Sequence, residues 1–259
     1  PEPLVPRERR LTVTERIDCD GDVLKALDEN EVVRAGKELV DQGVDVIAIC
    51  FINAYLNPEH EMRAVELLNK HFPNMPITAS AVVVPEIREY ERACTVTANA
   101  YVLPRMRGYI SDLKQKLVDM GLKGPLNVML SGGGIAALDV AQESPIQMIE
   151  SGPAAGAISG AYYGKITSSD AVIAFDMGGT TAKMCLIEDG EPEHSNSFEA
   201  GRVKRFCHGS GIPLKVPVID LIEIGAGGGS IAKVNDAGLL EVGPQSAGAD
   251  PGPICYGRG

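Results

Sequence analysis

Apolar and polar positions in the first third of the chain follow two alternating spacings. The helical spacing of apolar residues predicts helices over 30–42 and from Asn57 to about Phe72. Short apolar runs at 44–51 and 76–84 predict buried strands. Because helices and strands alternate, this pattern favours α/β layering.

The rest of the chain shows the same two signals. A long helix is predicted over 85–120, with a break or kink at Pro104. Strands are predicted at 126–130 and 216–224, and a further helix is predicted to begin near Pro153. These elements extend the α/β pattern over the whole sequence.

One predicted pair of strands encloses the turn with the most informative chemistry. An apolar run ends in Asp176, and Gly178, Gly179, Thr180 and Thr181 lead into a second apolar run. The Asp176 carboxylate can hold a hydrated magnesium ion, which prefers oxygen ligands. The glycine amides and threonine hydroxyls can donate to phosphate oxygens. The same residues also fit a plain hairpin turn, so the turn alone leaves both interpretations open.

Glycine clusters follow three of the predicted strands, at 131–134, 178–179 and 225–229. Three such turns at strand ends favour one polyphosphate ligand held from several sides over unrelated tight turns. The candidates for contact with the other end of a nucleotide are Gly227, Gly228 and Gly229.

Composition limits the classes of partner. The chain has 259 residues, a net charge of −11 and a pI of about 4.9, which argues against nucleic acid or anionic membranes as partners. We find neither a spanning apolar run nor a signal peptide, and the six cysteines form no Cys-x-x-Cys pair. This predicts reduced thiols in a cytoplasmic protein. The four histidines lack the spacing of metal ligands.

Several motifs in a fixed order carry a family resemblance. They are Arg-Glu-Tyr-Glu-Arg at 88–92, Thr-Val-Thr-Ala-Asn-Ala-Tyr at 95–101, Glu-Ser-Gly-Pro-Ala-Ala-Gly at 150–156, Asp-Met-Gly-Gly-Thr-Thr at 176–181, Gly-Ala-Gly-Gly-Gly-Ser-Ile-Ala at 225–232, and the glycine- and proline-rich end at 243–259. With this combination the chain resembles the hydantoinase/oxoprolinase family, in its N-methylhydantoinase A subunit branch. It is also similar to the beta subunits of acetone-carboxylase-type enzymes.

The resemblance implies the α/β fold of actin/hexokinase/Hsp70-like (ribonuclease H-like) ATPases, in the form of a fragment of the full two-lobe protein. Residues 1–93 would be the C-terminal part of the family's N-terminal α/β region, and 94–259 a truncated ATPase-like region. Asp176 would be the catalytic and metal-binding residue, with ATP and Mg²⁺ as cofactors.

The activity implied by the resemblance is ATP-dependent opening of a cyclic amide, of the hydantoin or 5-oxoproline type, by phosphorylation of its carbonyl group. ATP-dependent carboxylation of a ketone is the alternative reaction. A B-type subunit would be the partner, and a homo-oligomer is left open. The fragment alone is expected to be inactive.

Two departures from the family pattern leave further alternatives. Family members normally begin with an Asp-x-Gly-Gly-Thr-Phe-Thr-Asp loop, and none precedes residue 176. A nucleotide-binding or subunit-docking lobe without catalysis therefore stays an alternative. Many relatives continue the turn with Thr-Asp where this chain has Ala182 and Lys183. The Lys183 ammonium could pair with a phosphate or be solvated on its strand.

Arg92 and Asn99 are further candidates for polar contacts, although a charged helix face explains them equally well.

Overall fold

The computed structural model describes residues 3–204, 207 and 209–258, which form two compact units. Unit 1 contains the chain up to Leu130 together with 135–149 and 196–217. Unit 2 contains 131–134, 150–195 and the chain from Val218 onward. Both units are assembled from segments that alternate along the sequence. The predicted domain boundary between residues 93 and 94 stays a prediction.

The α-helices of the described residues differ widely in length. In chain order they are α1 (Glu29–Asp41), α2 (Glu59–His71), α3 (Ser80–Val83), α4 (Glu89–Asp119), α5 (Leu138–Glu143) and α6 (Ser151–Thr167). Short 3₁₀ helices cover Arg7–Arg9, Pro145–Met148 and Ile254–Tyr256. Over the described ranges, no helix has both the length and the apolar character needed to cross a membrane.

The strands are short and mostly paired in hairpins. They are β1 (Arg16–Ile17), β2 (Val23–Lys25), β3 (Ile47–Ile49), β4 (Ile77–Ala79), β5 (Asn127–Met129), β6 (Ile135–Ala137), β7 (Ala171–Met177), β8 (Ala182–Glu188), β9 (Glu191–Pro192), β10 (His194–Ser195), β11 (Phe198–Ala200), β12 (Ile212–Leu214), β13 (Val218–Ile219), β14 (Ile222–Ile224), β15 (Ser230–Val234) and β16 (Leu240–Ser246). The single strand predicted at 216–224 is wrong, because β13 pairs with β10 whereas β14 pairs with β8.

Unit 1 has an α/β core. Strands β3 and β4 run parallel, with Ile47 beside Ile77, and α1 and α2 bury apolar side chains against them. Helix α1 begins after Asp28, whose carboxylate accepts a hydrogen bond from the Glu31 amide at 3.0 Å. The buried core residues are Val32, Ile47, Ile49, Ala64, Leu67, Leu68 and Ala79. The helices and strands predicted from apolar spacing in this region are therefore present, with shorter strands than expected.

The strand predicted at 76–84 is wrong in its second half. Strand β4 ends at Ala79, and the next residues form the short helix α3. The buried Glu61 carboxylate accepts hydrogen bonds from the Ser80 hydroxyl and the Ala81 amide, both at 2.7 Å. These contacts with α2 hold the chain in a turn, so a long-range interaction overrides the local strand propensity.

Of the break or kink predicted at Pro104, the break is wrong and the kink stays a prediction. Helix α4 continues through Pro104 to Asp119. A proline inside a helix removes one hydrogen bond and its ring crowds the preceding turn. Because Pro104 is exposed, that disturbance occurs at the surface rather than in the packed core, and the burial of other α4 side chains maintains the helix.

The charged-face interpretation is wrong for Arg92 and Asn99, because both side chains of α4 are fully buried. The Asn99 amide group donates to Thr78 Oγ1 and to the Glu143 carbonyl, each at 3.1 Å. Its oxygen accepts from the Ile146 amide at 3.1 Å. Asn99 therefore connects α4 to β4 and to the segment around α5 within unit 1.

Unit 2 is built on an antiparallel sheet in the order β14-β8-β7, with β9 added beside β8. Helix α6 packs on one face of this sheet through small side chains. A Cβ atom at Gly160 would lie 2.9 Å from the Ala174 Cβ, so glycine is what permits this close approach. The buried residues of the contact are Ala154, Ala157, Ala161, Cys185, Ile187 and Ile219.

Candidate functional site

The predicted strand-turn-strand is confirmed. Strands β7 and β8 pair in register, with Asp176 opposite Lys183. The Gly178 amide donates to the Thr181 carbonyl at 2.9 Å and closes a four-residue turn. Asp176 lies one residue before the end of β7, with an exposed side chain. The sequence therefore places a solvent-accessible carboxylate beside a tight glycine turn.

Three amides of this turn are open to a ligand. Within the described part of the chain, the amides of Gly179, Thr180 and Thr181 donate no hydrogen bond. The Thr180 and Thr181 hydroxyls lie 3.5 Å from each other. Successive unpaired amides in a turn form a site that favours anions. This donor set fits phosphate oxygens.

The second glycine cluster lies directly against this turn. Gly228 donates to the Gly178 carbonyl at 2.9 Å, and Gly229 donates to the Gly179 carbonyl at 2.8 Å. The structure thus brings together two of the sequence-predicted groups of site residues. The amides of these two glycines are, however, already used in holding the turn.

Gly227 is required by backbone packing. A Cβ atom there would lie 2.6 Å from the Gly178 carbonyl oxygen and 2.7 Å from the Thr180 nitrogen. Its own amide donates to Ser230 Oγ at 2.9 Å. A side chain at this position would displace the Asp176 turn. The absence of a side chain at Gly227 therefore lets the two backbone segments pack together.

The third glycine cluster has different surroundings. A Cβ atom at Gly133, which has a φ of +82°, would lie 2.9 Å from Ile158 Cδ1 and 3.2 Å from Ile219 Cδ1. These neighbours are apolar, so the 131–134 turn packs against α6 and β13. This environment favours the tight-turn interpretation for this cluster.

A small open pocket lies between the sheet and the first turns of α6. Its cavity volume is about 40 Å³. Asp176 and Lys183, which lie opposite each other on β7 and β8, both line the pocket. The lining residues are Pro153, Gly156, Ala157, Ala174, Phe175, Asp176, Lys183, Cys185 and Leu221. The Asp176 and Lys183 side chains therefore border a small cavity on the α6 side of the sheet.

Lys183 is held by carboxylates of its own unit. Its ammonium pairs with Glu150, the residue that precedes α6, and lies 2.8 Å from Glu223 Oε1 on β14. Burial alone would lower the pKa of Lys183, but the hydrogen bonds to Glu150 and Glu223 outweigh it and raise that pKa. The solvated-strand alternative is therefore wrong, since only 16% of the side chain is exposed. Sequence reasoning missed both partners.

The chain offers a cation few protein ligands at this turn. Among the described residues, no group of three or more His, Cys, Asp or Glu side chains could hold a metal ion. Magnesium often binds through one or two carboxylates and completes its shell with water and phosphate oxygens. The single exposed carboxylate of Asp176 fits that mode, and a closed all-protein cage does not.

The sequence matches two family models. Hydantoinase/oxoprolinase covers residues 92–259, and the hydantoinase/oxoprolinase N-terminal region covers residues 1–72. The chain is 43% identical over 262 residues to the uncharacterized protein MJ0964 of Methanocaldococcus jannaschii, covering 100% of this chain and 38% of that protein. It is 37% identical over 256 residues to caprolactamase subunit alpha of Pseudomonas jessenii, covering 99% of this chain and 36% of that subunit.

Two solved structures have the same fold. The crystal structure of the ATP-dependent caprolactamase from Pseudomonas jessenii matches with a TM-score of 0.79 and 36% identity, covering 100% of this chain and 36% of that chain. The nucleotide-free structure of acetone carboxylase matches with a TM-score of 0.78 and 28% identity, covering 96% of this chain and 34% of that chain.

The chain spans about a third of the length of these relatives. The expected fold class, that of a part of a larger actin-like ATPase, is confirmed by the two matching structures. The family model over 92–259 alone accounts for more than half of the sequence. The chain therefore belongs to the hydantoinase/oxoprolinase family.

Proposed function

We propose that this chain provides a nucleotide-phosphate site for an ATP-dependent enzyme that opens a cyclic amide. The observation that carries the proposal is the set of three unpaired amides, at Gly179, Thr180 and Thr181, beside the exposed carboxylate of Asp176. Unpaired donors next to a carboxylate suit a phosphate together with its divalent cation.

Each residue of the turn has a separate task in this proposal. The amides and the hydroxyls of Thr180 and Thr181 orient phosphate oxygens, and Asp176 holds Mg²⁺ through water. Gly228 and Gly229 fix the carbonyls of the turn, which leaves its amides free for a ligand. Exposed Gly228 also stays a candidate for contact with the nucleotide.

When bound, Mg²⁺–ATP would supply a phosphoryl group that activates the amide carbonyl toward water. Phosphoryl transfer depends mainly on positioning and charge neutralisation. The chain contributes positioning through a turn that two backbone hydrogen bonds hold against Gly228 and Gly229. It contributes charge through Asp176, which attracts the cation.

The names of the relatives support this class of reaction. Caprolactamase, whose alpha subunit is 37% identical to this chain, is named for a cyclic amide and is described as ATP-dependent. Because that relative is one subunit of an assembly, we propose a partner subunit for the protein that contains this chain. Ketone carboxylation is the second candidate, since the acetone carboxylase structure matches with a TM-score of 0.78.

The proposal is tested by Asp176→Asn in the full-length protein with its partner subunit. Loss of the charge that holds the cation should reduce lactam-dependent ATP hydrolysis by at least about 100-fold. The matched control is Asp189→Asn, an exposed aspartate at the other end of the same hairpin, which should leave the rate unchanged. Equal rates in the wild type and Asp176→Asn would refute the role of Asp176.

Two further measurements separate the alternatives. ATP hydrolysis that depends on a ketone and bicarbonate, and not on a lactam, would establish the carboxylase reaction instead. Calorimetric titration with Mg²⁺–ATP tests for a docking lobe without catalysis. Micromolar binding with slow hydrolysis supports the enzyme, and millimolar or absent binding supports the docking lobe.

A further inference from the structure

Arg92 is an unusual residue of unit 1. It lies in the first turn of α4 and is 0% exposed. Its Nη2 atom donates to the Phe51 carbonyl, and its guanidinium carbon lies 5.6 Å from the centre of the Tyr55 ring. The other two nitrogens, Nε and Nη1, have no hydrogen-bond partner among the residues that the structure describes. Buried donors without partners are costly and rare in native proteins.

The charge of Arg92 has no ion-pair partner in the described ranges, although it interacts at longer range with the buried Glu61 carboxylate of the same unit. None of the ion pairs within the described ranges includes it. A guanidinium does not lose its proton in a protein, so burial cannot be relieved by neutralisation. A buried charge without a counter-ion is strongly unfavourable. One anion would satisfy both the charge and the two open donors.

Glu61 does not fill this role, although it is fully buried in the same unit. Its carboxylate accepts hydrogen bonds from the Phe51 amide, the Ser80 hydroxyl and the Ala81 amide, each at 2.7 Å. Burial raises the pKa of Glu61, and these bonds with the charge of Arg92 oppose that rise only in part. The carboxylate is committed to the turn before α3.

The position of Arg92 in the fold is one at which α/β proteins bind ligands. Phe51 follows the carboxyl end of β3, Ser80 follows the carboxyl end of β4, and the two strands are parallel. Ligands of open α/β sheets bind outside the carboxyl ends of the strands. Cys50 lies at the same edge. Burial raises the pKa of its thiol, although Ser80 and Arg92 oppose this, so Cys50 adds no competing anion.

We propose that Arg92 is the anion-binding residue of a separate ligand site in unit 1, which takes a small carboxylate or inorganic oxyanion through Nε and Nη1. Two oxygens on one group match the forked donors of a guanidinium. The loop from Phe51 to Tyr55 lies against the guanidinium, so entry of the ligand requires movement of this loop. The site does not depend on the nucleotide proposal for Asp176.

The experiment is a titration of the 259-residue chain, labelled with ¹⁵N-arginine, with acetate, phosphate or sulfate at constant ionic strength set by chloride. The Nε–H resonance of Arg92 is assigned by its loss in Arg92→Lys, a variant that keeps the charge and removes the fork. Arg107 is the matched control, because it is a half-buried arginine of α4 whose Nε donates to the Gln142 carbonyl at 3.1 Å.

A saturable shift of the Arg92 resonance, with the Arg107 resonance unchanged, is the expected result. The anion should also raise Tm. Arg92→Lys should need an anion concentration at least about ten-fold higher for the same rise in Tm. Saturation by acetate identifies a carboxylate ligand, and saturation by phosphate or sulfate identifies an inorganic oxyanion. If none of these anions gives a saturable shift, the site is overturned. Buried water, not an anion, would then satisfy the donors of Arg92. A Tm gain of equal size in Arg92→Lys would overturn it as well. If Arg92→Met also folds, it should lose the anion effect completely.

Discussion

Two cations of this chain, the partly buried Lys183 in unit 2 and the fully buried Arg92 in unit 1, satisfy their charge in opposite ways. Lys183 is paired with Glu150 and Glu223 of its own unit. Arg92 forms no ion pair in the described ranges and leaves Nε and Nη1 unbonded. A cation that the chain itself neutralises holds its partners in place, whereas a cation without a partner can attract a ligand. Lys183 is therefore better suited to organising the pocket beside Asp176 than to binding phosphate directly.

The largest effect on stability is expected for Lys183→Met. This change leaves Glu150 and Glu223 without their common cation, which should lower the free energy of unfolding by about 2–3 kcal/mol. Urea denaturation provides the measurement. The control is Lys165→Met, because Lys165 and Glu191 form an exposed ion pair at 3.4 Å that should contribute less than about 0.5 kcal/mol. Equal losses in the two variants would contradict the structural role of Lys183.

Double-mutant cycles should then rank the two partners of Lys183. The Glu150 side chain is 23% exposed and that of Glu223 is 52% exposed, so solvent screens the second pair more. We expect a coupling of about 2 kcal/mol for Lys183→Met with Glu150→Gln, and less than about 1 kcal/mol with Glu223→Gln. The reverse order would show that β14, not the start of α6, is the main anchor.

Arg92→Met should have a smaller effect on stability in buffer without oxyanions. It loses the hydrogen bond to Phe51 and the contact with Tyr55, but it also removes a buried charge that forms no ion pair in the described ranges. We expect these effects to offset each other to within about 1 kcal/mol in urea denaturation. A loss as large as that of Lys183→Met would mean that Arg92 is already neutralised within the chain, and would end the contrast between the two cations.

The smallest expected effect concerns pH. The folded state raises the pKa of Lys183 above its ordinary value of 10.5, so the stability that its ion pairs contribute is complete below pH 10.5. This contribution is lost as pH rises through the higher folded-state pKa. The difference in Tm between wild type and Lys183→Met should therefore narrow above pH 10.5. A difference that stays constant to higher pH would show that the ammonium is not the source of stability.

The sequence located the Asp176 turn correctly but not the function of each glycine near it. A tight turn between two apolar runs depends on neighbours a few residues apart, and those are visible in the sequence. Whether an amide is free depends on a partner elsewhere in the chain. The amides of Gly228 and Gly229 are taken up by the carbonyls of Gly178 and Gly179, and no local pattern distinguishes them from open donors.

The sequence by itself determined the family, the α/β pattern, and the hairpin that carries Asp176, because motifs and periodicity are properties of adjacent residues. Only the tertiary structure decided that Lys183 has two carboxylate partners, that Arg92 is buried without one, and that the chain after Ala79 becomes helical. The physical reason is that burial and charge pairing depend on distant segments. A basic residue therefore looks the same in the sequence whether it faces water, a carboxylate or a site for a ligand.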